Sequence, residues 1–195
     1  MSEFFSDDEV PAPNFYYDNY FDIDAVKIVP GEYYVTARPI LIVTVLGSCV
    51  AVCVRDRESG IGGMHHFMLP PRRKDGESGY DSTDYGNRAM EVLIDHLLGM
   101  GARYENLEAK LFGGGDPFRN DRLDNLGRRT ADFIRSYLKL KAIPIVAEDL
   151  YDRYPRKIYF FPEQGKVMVK KLIRLHNATL IQREEAYVNR LLHGE

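Results

Sequence analysis

Residues 43–53, which read VTVLGSCVAVC, form an apolar run that a Gly-Ser pair interrupts directly before a cysteine. The β-branched residues on both sides are typical of buried strands. A glycine at the interruption lets the backbone leave ideal strand geometry, which can lift a side chain out of the sheet and free N–H groups from its ladder. The sequence therefore predicts two buried strands joined by a short kink that presents the thiol of Cys49.

Composition limits the size of the fold and the kinds of partner. The chain has 195 residues, of which 45% are hydrophobic, so we expect one domain with one substantial core. A formal net charge of -3 argues against nucleic acid as a partner, since phosphate binding needs a basic face. No apolar run approaches the roughly 20 residues of a membrane span, and no basic-then-apolar leader precedes the domain. We therefore expect no membrane insertion and a cytoplasmic location.

The order of patterns along the chain predicts an α+β domain. Short β-like runs fill residues 25–70 and 143–172, and Glu163-Gln164-Gly165 within the second region predicts a hairpin turn. Helical spacing of apolar residues begins near Asp84 and recurs over residues 125–142. Because strands and helices do not alternate regularly, a layered α+β arrangement is favoured over a doubly wound sheet.

The two ends of the chain differ from the domain, which we assign to residues 25–180. Residues 1–24 are acidic and aromatic without a sustained period, which predicts an irregular N-terminal arm that is either a partly ordered tail or a docking segment. Residues 181–195 predict an amphipathic C-terminal helix that either packs on the domain or binds a partner. One face of this helix carries Tyr187, Val188, Leu191 and Leu192.

Cys49 is the first candidate for chemistry. A thiol becomes a useful nucleophile when a histidine can take its proton and backbone N–H groups converge where an oxyanion would form. His65 and His66 follow in a strand-like segment and point to opposite faces, so at most one of them can face Cys49. Cys53 lies within an uninterrupted apolar run and is interpreted as a buried, reduced core residue, since it is too far along a strand from Cys49 for a disulfide.

We predict neither a metal nor a cofactor. The two cysteines and two histidines are possible ligands, but two cysteines four residues apart in apolar β surroundings do not resemble a zinc knuckle. The triple glycine Gly113-Gly114-Gly115 is not followed by the Lys-Ser/Thr of a phosphate-binding loop, and no dinucleotide fingerprint is present. The glycines therefore predict a turn or a stretch of backbone near the active site.

Four segments together resemble the CheD family of chemoreceptor glutamine deamidases. They read VLGSCVAVCVRDRESGIGGMHHFMLP, LEAKLFGGGDPF, NLGRR and VAEDL, and the resemblance covers roughly residues 26–172. It implies a layered α/β/β sandwich similar to the catalytic domain of cytotoxic necrotising factor toxins. It also implies hydrolysis of selected glutamine side chains on chemoreceptor cytoplasmic domains, a related methylesterase action, and a CheC-type phosphatase as a further partner.

Carried over by position, the resemblance assigns Cys49 as nucleophile and His66, seventeen residues later, as general base and acid. The family's third residue is a threonine six positions before the cysteine, where this chain has Val43, and the nearest threonine is Thr44. A shift of one residue reverses the face of a strand, so Thr44 can serve only if a bulge or a shortened turn restores its direction.

The freed backbone of the kink predicts oxyanion donors at Gly47 and Ser48, and the triple glycine predicts a substrate rim at Gly113, Gly114 and Gly115. Many relatives carry Gly-Gly after the AEDL segment, where this chain has Tyr151 and Asp152, so the shape of the rim is in question. The displaced threonine keeps a competing hypothesis open, namely a receptor- or CheC-binding adaptor with weak or no catalysis.

Overall fold

A computed structural model describes residues 14–71, 82–116, 125–173 and 178–193. In chain order, its elements are β1 (Asn14–Asp18), β2 (Ile23–Lys27), β3 (Tyr33–Thr36), β4 (Leu41–Leu46), β5 (Val50–Asp56), β6 (Gly62–Phe67), α1 (Ser82–Gly99), a 3₁₀ turn (Tyr104–Asn106), β7 (Leu107–Gly113), α2 (Leu126–Leu140), β8 (Ile145–Leu150), β9 (Arg156–Phe161), β10 (Lys166–Lys171) and α3 (Ala178–His193).

The strands form two five-stranded sheets. Sheet A has the order β1-β2-β4-β9-β10, and sheet B has the order β3-β6-β5-β7-β8. The pairs β2–β4 and β7–β8 are parallel, and the other neighbours are antiparallel. Helices α1 and α2 pack on sheet B, while β4 of sheet A contacts β5 and β6. The predicted α+β class is confirmed.

The direction of side chains along β4 places this strand between two cores. Ile42 and Leu46 belong to the main core, whereas Leu41 and Val43 pack into a smaller cluster with Ala25. This is the alternation of a pleated strand that is buried on both faces. β5 and β6 are also buried along almost their whole length, so the kink after β4 is enclosed by protein.

The predicted irregular arm is wrong for residues 14–24. Strand β1 pairs antiparallel with β2, which already contains the expected domain boundary at residue 25. The turn between them is stabilised by the Asp18 carboxylate, which accepts from the backbone N–H of Tyr20 and Phe21. The Phe21 ring then packs against aromatic residues of β9. Residues 1–13 of the predicted arm lie outside the described residues.

Helix predictions agree closely with the structure. α1 (Ser82–Gly99) and α2 (Leu126–Leu140) occupy the segments where apolar periodicity predicts helices, and the predicted turn at residues 163–165 joins β9 to β10. α3 begins at Ala178, before the expected boundary at residue 181, and Leu192 is 42% exposed rather than inward. None of the helices in the described ranges combines the length and apolarity that a bilayer span requires.

Candidate active site

Cys49 lies in the kink between β4 and β5, with its side chain fully buried. The kink turns three backbone N–H groups away from the sheet ladder. Those of Gly47 and Ser48 donate to the Glu184 carboxylate at 2.6 and 2.8 Å, and that of Cys49 donates at 3.4 Å. The Ser48 hydroxyl donates to the same carboxylate at 2.7 Å. The kink is therefore an anion-binding nest.

Pairing between β5 and β6 brings His66 to Cys49. His66 lies opposite Ala51, and Cys49 is two residues before Ala51, so alternation directs both side chains to the same face. Cys49 Sγ, a ring nitrogen of His66 and a carboxylate oxygen of Glu184 all lie within 4.8 Å of one another. His65 points the opposite way and packs edge-on against Tyr33. The structure thus brings one of the two histidines to the thiol.

Thr44, on β4 of sheet A, lies next to His66, on β6 of sheet B. Its Oγ1 donates to the carbonyl of Ile28 at 2.8 Å and is 2.7 Å from His66 Nδ1. A hydroxyl has a single proton to donate, so toward the ring it acts as acceptor from Nδ1–H. This leaves the lone pair on Nε2, for which the described part of the chain provides no hydrogen-bond partner. His66 is therefore held in the tautomer that a general base requires.

Strand β4 contains no bulge, so of the two conditions stated for Thr44 only the shortened turn remains. Pairing of β4 with β9 is continuous from Ile42 to Leu46. Plain alternation directs Thr44 toward His66 in sheet B, while Val43 points into the smaller cluster on the other face of sheet A. A threonine at the position of Val43 would face away from the histidine.

Burial keeps both candidate reactive groups uncharged. It raises the pKa of the Cys49 thiol well above its usual value, and the charge of Glu184 and a hydrogen bond with its carboxylate raise it further. Burial also lowers the pKa of His66 to about 3, with a smaller contribution from His65. The pair is thus a thiol beside a neutral imidazole rather than a thiolate–imidazolium pair.

Glu184 was missed by the sequence analysis. It lies on α3, is fully buried, and shares the inward face of that helix with Leu180, Tyr187 and Val188. These positions are spaced by three and four residues, so Glu184 is an acidic residue in the middle of an apolar stripe. That interruption is the signal in the sequence for a functional residue, because a buried carboxylate normally has hydrogen-bond donors around it.

The triple glycine Gly113-Gly114-Gly115 packs against the backbone of the kink at Cys49. The N–H of Gly114 donates to the Cys49 carbonyl at 2.9 Å. Gly113 has φ +104°, and a Cβ there would lie 2.3 Å from the same carbonyl oxygen. Gly114 and Gly115 also line a cleft of about 240 Å³ beside Ser48, so two of the three predicted rim residues border open space. The cleft is completed by Asp116, Asn125, Leu126, Gly127, Arg128, Tyr151 and Asp152.

The backbone at Tyr151 and Asp152, where the family resemblance implies Gly-Gly, has a shape that suits glycine. Tyr151 and Asp152 have φ angles of 66° and 72°, which lie in the left-handed region. The Tyr151 hydroxyl donates to Asp132 at 2.6 Å, and Lys171 donates to Asp152 at 2.8 Å. These contacts offset the strain and shape the wall of the cleft.

Within the described ranges, one group of side chains is close enough together to hold a metal ion, and it consists of Cys49, His66 and Glu184. It includes neither Cys53 nor His65. Both oxygens of Glu184 already accept hydrogen bonds from the kink, which competes with metal coordination. Burial raises the pKa of Cys53, which fits an inert core thiol.

The class of protein follows from these contacts: a cysteine, an oriented histidine and a nest of N–H groups are the parts of a thiol-dependent hydrolase. A family model described as CheD chemotactic sensory transduction matches residues 68–171, which follow the cysteine and histidine. Matches to individual relatives are longer and include both Cys49 and His66. The chain is 57% identical over 192 residues to the "Probable chemoreceptor glutamine deamidase CheD" of Herminiimonas arsenicoxydans, covering 98% of this chain and 94% of that protein. The chain belongs to the CheD family.

Other relatives extend the same match. The protein of the same name from Thiobacillus denitrificans is 58% identical over 185 residues, which covers 94% of this chain and 92% of that protein. A "Probable chemoreceptor glutamine deamidase CheD 1" from Shewanella oneidensis is 51% identical over 176 residues, covering 90% and 85%. Each of these three matches therefore covers 90% or more of this chain.

Proposed function

We propose that this chain is a protein-glutamine deamidase that converts selected glutamine side chains of chemoreceptors to glutamate and ammonia. The observation that carries the proposal is the oriented His66 beside Cys49, next to backbone N–H groups that already hold a carboxylate. The names of the relatives, chemoreceptor glutamine deamidases, supply the substrate class.

In the proposed first half-reaction, the thiol proton moves to Nε2 of His66 while Sγ of Cys49 attacks the side-chain carbonyl carbon of the glutamine. The carbonyl electrons move to oxygen, and the N–H groups of Gly47 and Ser48 stabilise the resulting charge. Collapse of this intermediate breaks the C–N bond, and ammonia leaves with the proton from Nε2. A thioester between Cys49 and the substrate remains.

In the second half-reaction, Nε2 accepts a proton from water as the water oxygen attacks the thioester. The C–S bond breaks, Sγ takes the proton back, and the product is glutamate. The cycle returns Cys49 and His66 to their starting state with no net change in either residue. It uses water as the only co-reactant, so the mechanism needs no cofactor.

Several finer expectations belong to the proposal and stay predictions. The two sheets with helices against one of them are consistent with the α/β/β sandwich of cytotoxic necrotising factor toxins. Receptor cytoplasmic domains as substrate would put the protein in the cytoplasm. A CheC-type phosphatase, a methylesterase side activity and a lack of nucleic-acid partners follow from the family resemblance and the net charge of -3.

The competing adaptor hypothesis depended on a misdirected Thr44. The 2.7 Å contact between Thr44 and His66 supports the enzyme over the adaptor. Enzyme and adaptor still make different predictions for the substrate. An adaptor leaves receptor glutamines unchanged while it binds, whereas the enzyme changes them at defined positions.

The test is peptide mapping of a purified receptor cytoplasmic domain after incubation with the protein. Deamidation adds about 1 Da per site, as an amide becomes an acid through the thioester. We expect conversion with the wild type, none with Cys49→Ala or His66→Ala, and normal conversion with the matched control Cys53→Ala. Receptor binding by the wild type without any mass change would refute the proposal in favour of an adaptor.

A further inference from the structure

We propose that α3 is an intramolecular product analogue, which occupies the active site through Glu184 and must leave before a substrate glutamine can enter. The inference rests on the proposed deamidase function and adds its regulation. A glutamate side chain is what the reaction produces, and here one from the chain's own C-terminal helix lies beside the nucleophile.

The contacts of Glu184 are those that a product carboxylate would make. One oxygen accepts from the N–H of Gly47 at 2.6 Å and of Cys49 at 3.4 Å, and the other accepts from the N–H and hydroxyl of Ser48. These residues are 135 to 137 positions away in sequence. The donors that would stabilise an oxyanion are therefore already occupied.

A second contact seats α3, one helical turn beyond Glu184. The Tyr187 hydroxyl lies 2.7 Å from the Tyr85 hydroxyl of α1. The ring of Tyr187 rests on Gly31, where a Cβ would come within 2.6 Å of Cε2, so only a glycine leaves space for it. Glu184 and Tyr187 face the same way because they are three residues apart on a helix. The helix is thus held by a polar anchor and an aromatic one.

The covered state explains why Cys49 is fully buried in a protein whose proposed substrate is a large receptor. A bulky substrate cannot reach a buried thiol without a movement of the structure around it. Departure of α3 would admit water to the kink and remove the nearby carboxylate, and both changes lower the pKa of the thiol. Opening therefore exposes the nucleophile and activates it.

In the variant Glu184→Gln, an amide, which is the substrate group, replaces the carboxylate at the nest. Its oxygen can accept from the N–H of Gly47 and its NH2 can donate to the Ser48 hydroxyl, while the contact with the Ser48 N–H is lost. Cys49 Sγ can attack its carbonyl carbon, the C–N bond breaks with loss of ammonia, and water then releases the thioester, which restores glutamate at position 184. The enzyme would repair its own substitution without any receptor.

The experiment follows the intact mass and peptide map of Glu184→Gln over time after purification. We expect a gain of about 1 Da at position 184 that is abolished when Cys49→Ala is added. The matched control is Glu185→Gln, the same substitution on the adjacent, exposed position, which should keep its introduced amide. A stable amide at position 184, in a variant that deamidates the receptor domain, would overturn the product-analogue assignment.

A second measurement does not depend on deamidase activity. The rate of Cys49 alkylation by iodoacetamide should rise about tenfold or more in Glu184→Ala, because strong hydrogen bonds that hold the helix are lost. Tyr187→Ala should raise the rate as well, while Glu185→Ala and the alkylation of Cys53 should not change. Unchanged alkylation of folded Glu184→Ala and Tyr187→Ala would show that α3 does not cover the site.

The two measurements separate the failure of this inference from failure of the proposed function. Suppose that Cys49 is alkylated faster in Glu184→Ala, but that neither the receptor nor position 184 of Glu184→Gln is deamidated. This result would support α3 as the cover of the site and refute the proposed deamidase function. Receptor deamidation that falls in Glu184→Ala while alkylation stays at the wild-type rate would instead assign Glu184 to the reaction and overturn its role as an inhibitor.

Discussion

Replacement of Thr44 by valine tests how His66 is oriented. Valine has nearly the shape of threonine but lacks the hydroxyl that donates to Ile28 O and accepts from His66 Nδ1–H. The Ile28 carbonyl also forms a hydrogen bond that raises the pKa of His66, so the ring keeps one acceptor. We therefore expect the free energy of unfolding to fall by about 1–3 kcal/mol, the usual cost of a lost buried partner.

The effect on catalysis should exceed the effect on folding. Without the hydroxyl, Nδ1–H is less well fixed, and Nε2 spends less time aligned with the thiol. Small displacements of a catalytic group cost up to about 100-fold in rate, so we expect kcat/KM to fall about 10- to 100-fold. Since the hydroxyl accepts from Nδ1–H, it favours the protonated ring. Its loss should shift the acid limb of the pH profile of kcat/KM to lower pH.

The assay is ammonia release from a receptor cytoplasmic domain, measured across pH alongside thermal unfolding. Thr44→Ser keeps the hydroxyl and should retain most of the activity. The double variant Val43→Thr with Thr44→Val moves the hydroxyl to the opposite face of β4 and should not rescue activity. Wild-type kinetics in Thr44→Val, or rescue by the double variant, would refute this assignment of Thr44.

Three further outcomes follow from the structure. Gly113→Ala should destabilise the protein by more than about 1 kcal/mol in chemical denaturation, because its Cβ would lie 2.3 Å from the Cys49 carbonyl. Gly99→Ala should be neutral or better, because a Cβ there would meet no atom within 4 Å beyond its chain neighbours and the backbone of its own helix. Stability should decline as pH falls from 6.5 toward 4. Burial lowers the pKa of His65 to about 4 and of His66 to about 3, whereas histidines of the unfolded chain bind protons near pH 6.5. A denaturation midpoint that does not change with pH in this range would contradict the prediction. Receptor deamidation should be unaffected by a metal chelator, because the proposed steps use only Cys49, His66 and water, and the one group of possible metal ligands in the described ranges loses Glu184 when α3 leaves. Loss of activity that zinc restores would point to a metal site instead.

Much of the fold could be predicted because its signals are local. The apolar period of α1 and α2, the turn at residues 163–165 and the Gly-Ser kink all depend on neighbours within a few positions. The β1–β2 hairpin escaped prediction because its stability depends on a distant contact, the packing of Phe21 on β9, rather than on a period within residues 14–24. The sequence also singled out Cys49 and left His65 and His66 as its possible partners. The family resemblance selected His66, and the structure places that residue beside the cysteine.

By itself, the sequence determined the α+β class, the kink that carries Cys49 and the rule that His65 and His66 face opposite ways. Only the tertiary structure decided that Thr44 meets His66 and that Glu184 fills the nest at the kink. The physical reason is the same for both. A local period specifies which side chains share a face, but the packing of distant elements decides which faces meet, and Glu184 reaches its donors across more than 130 residues of chain.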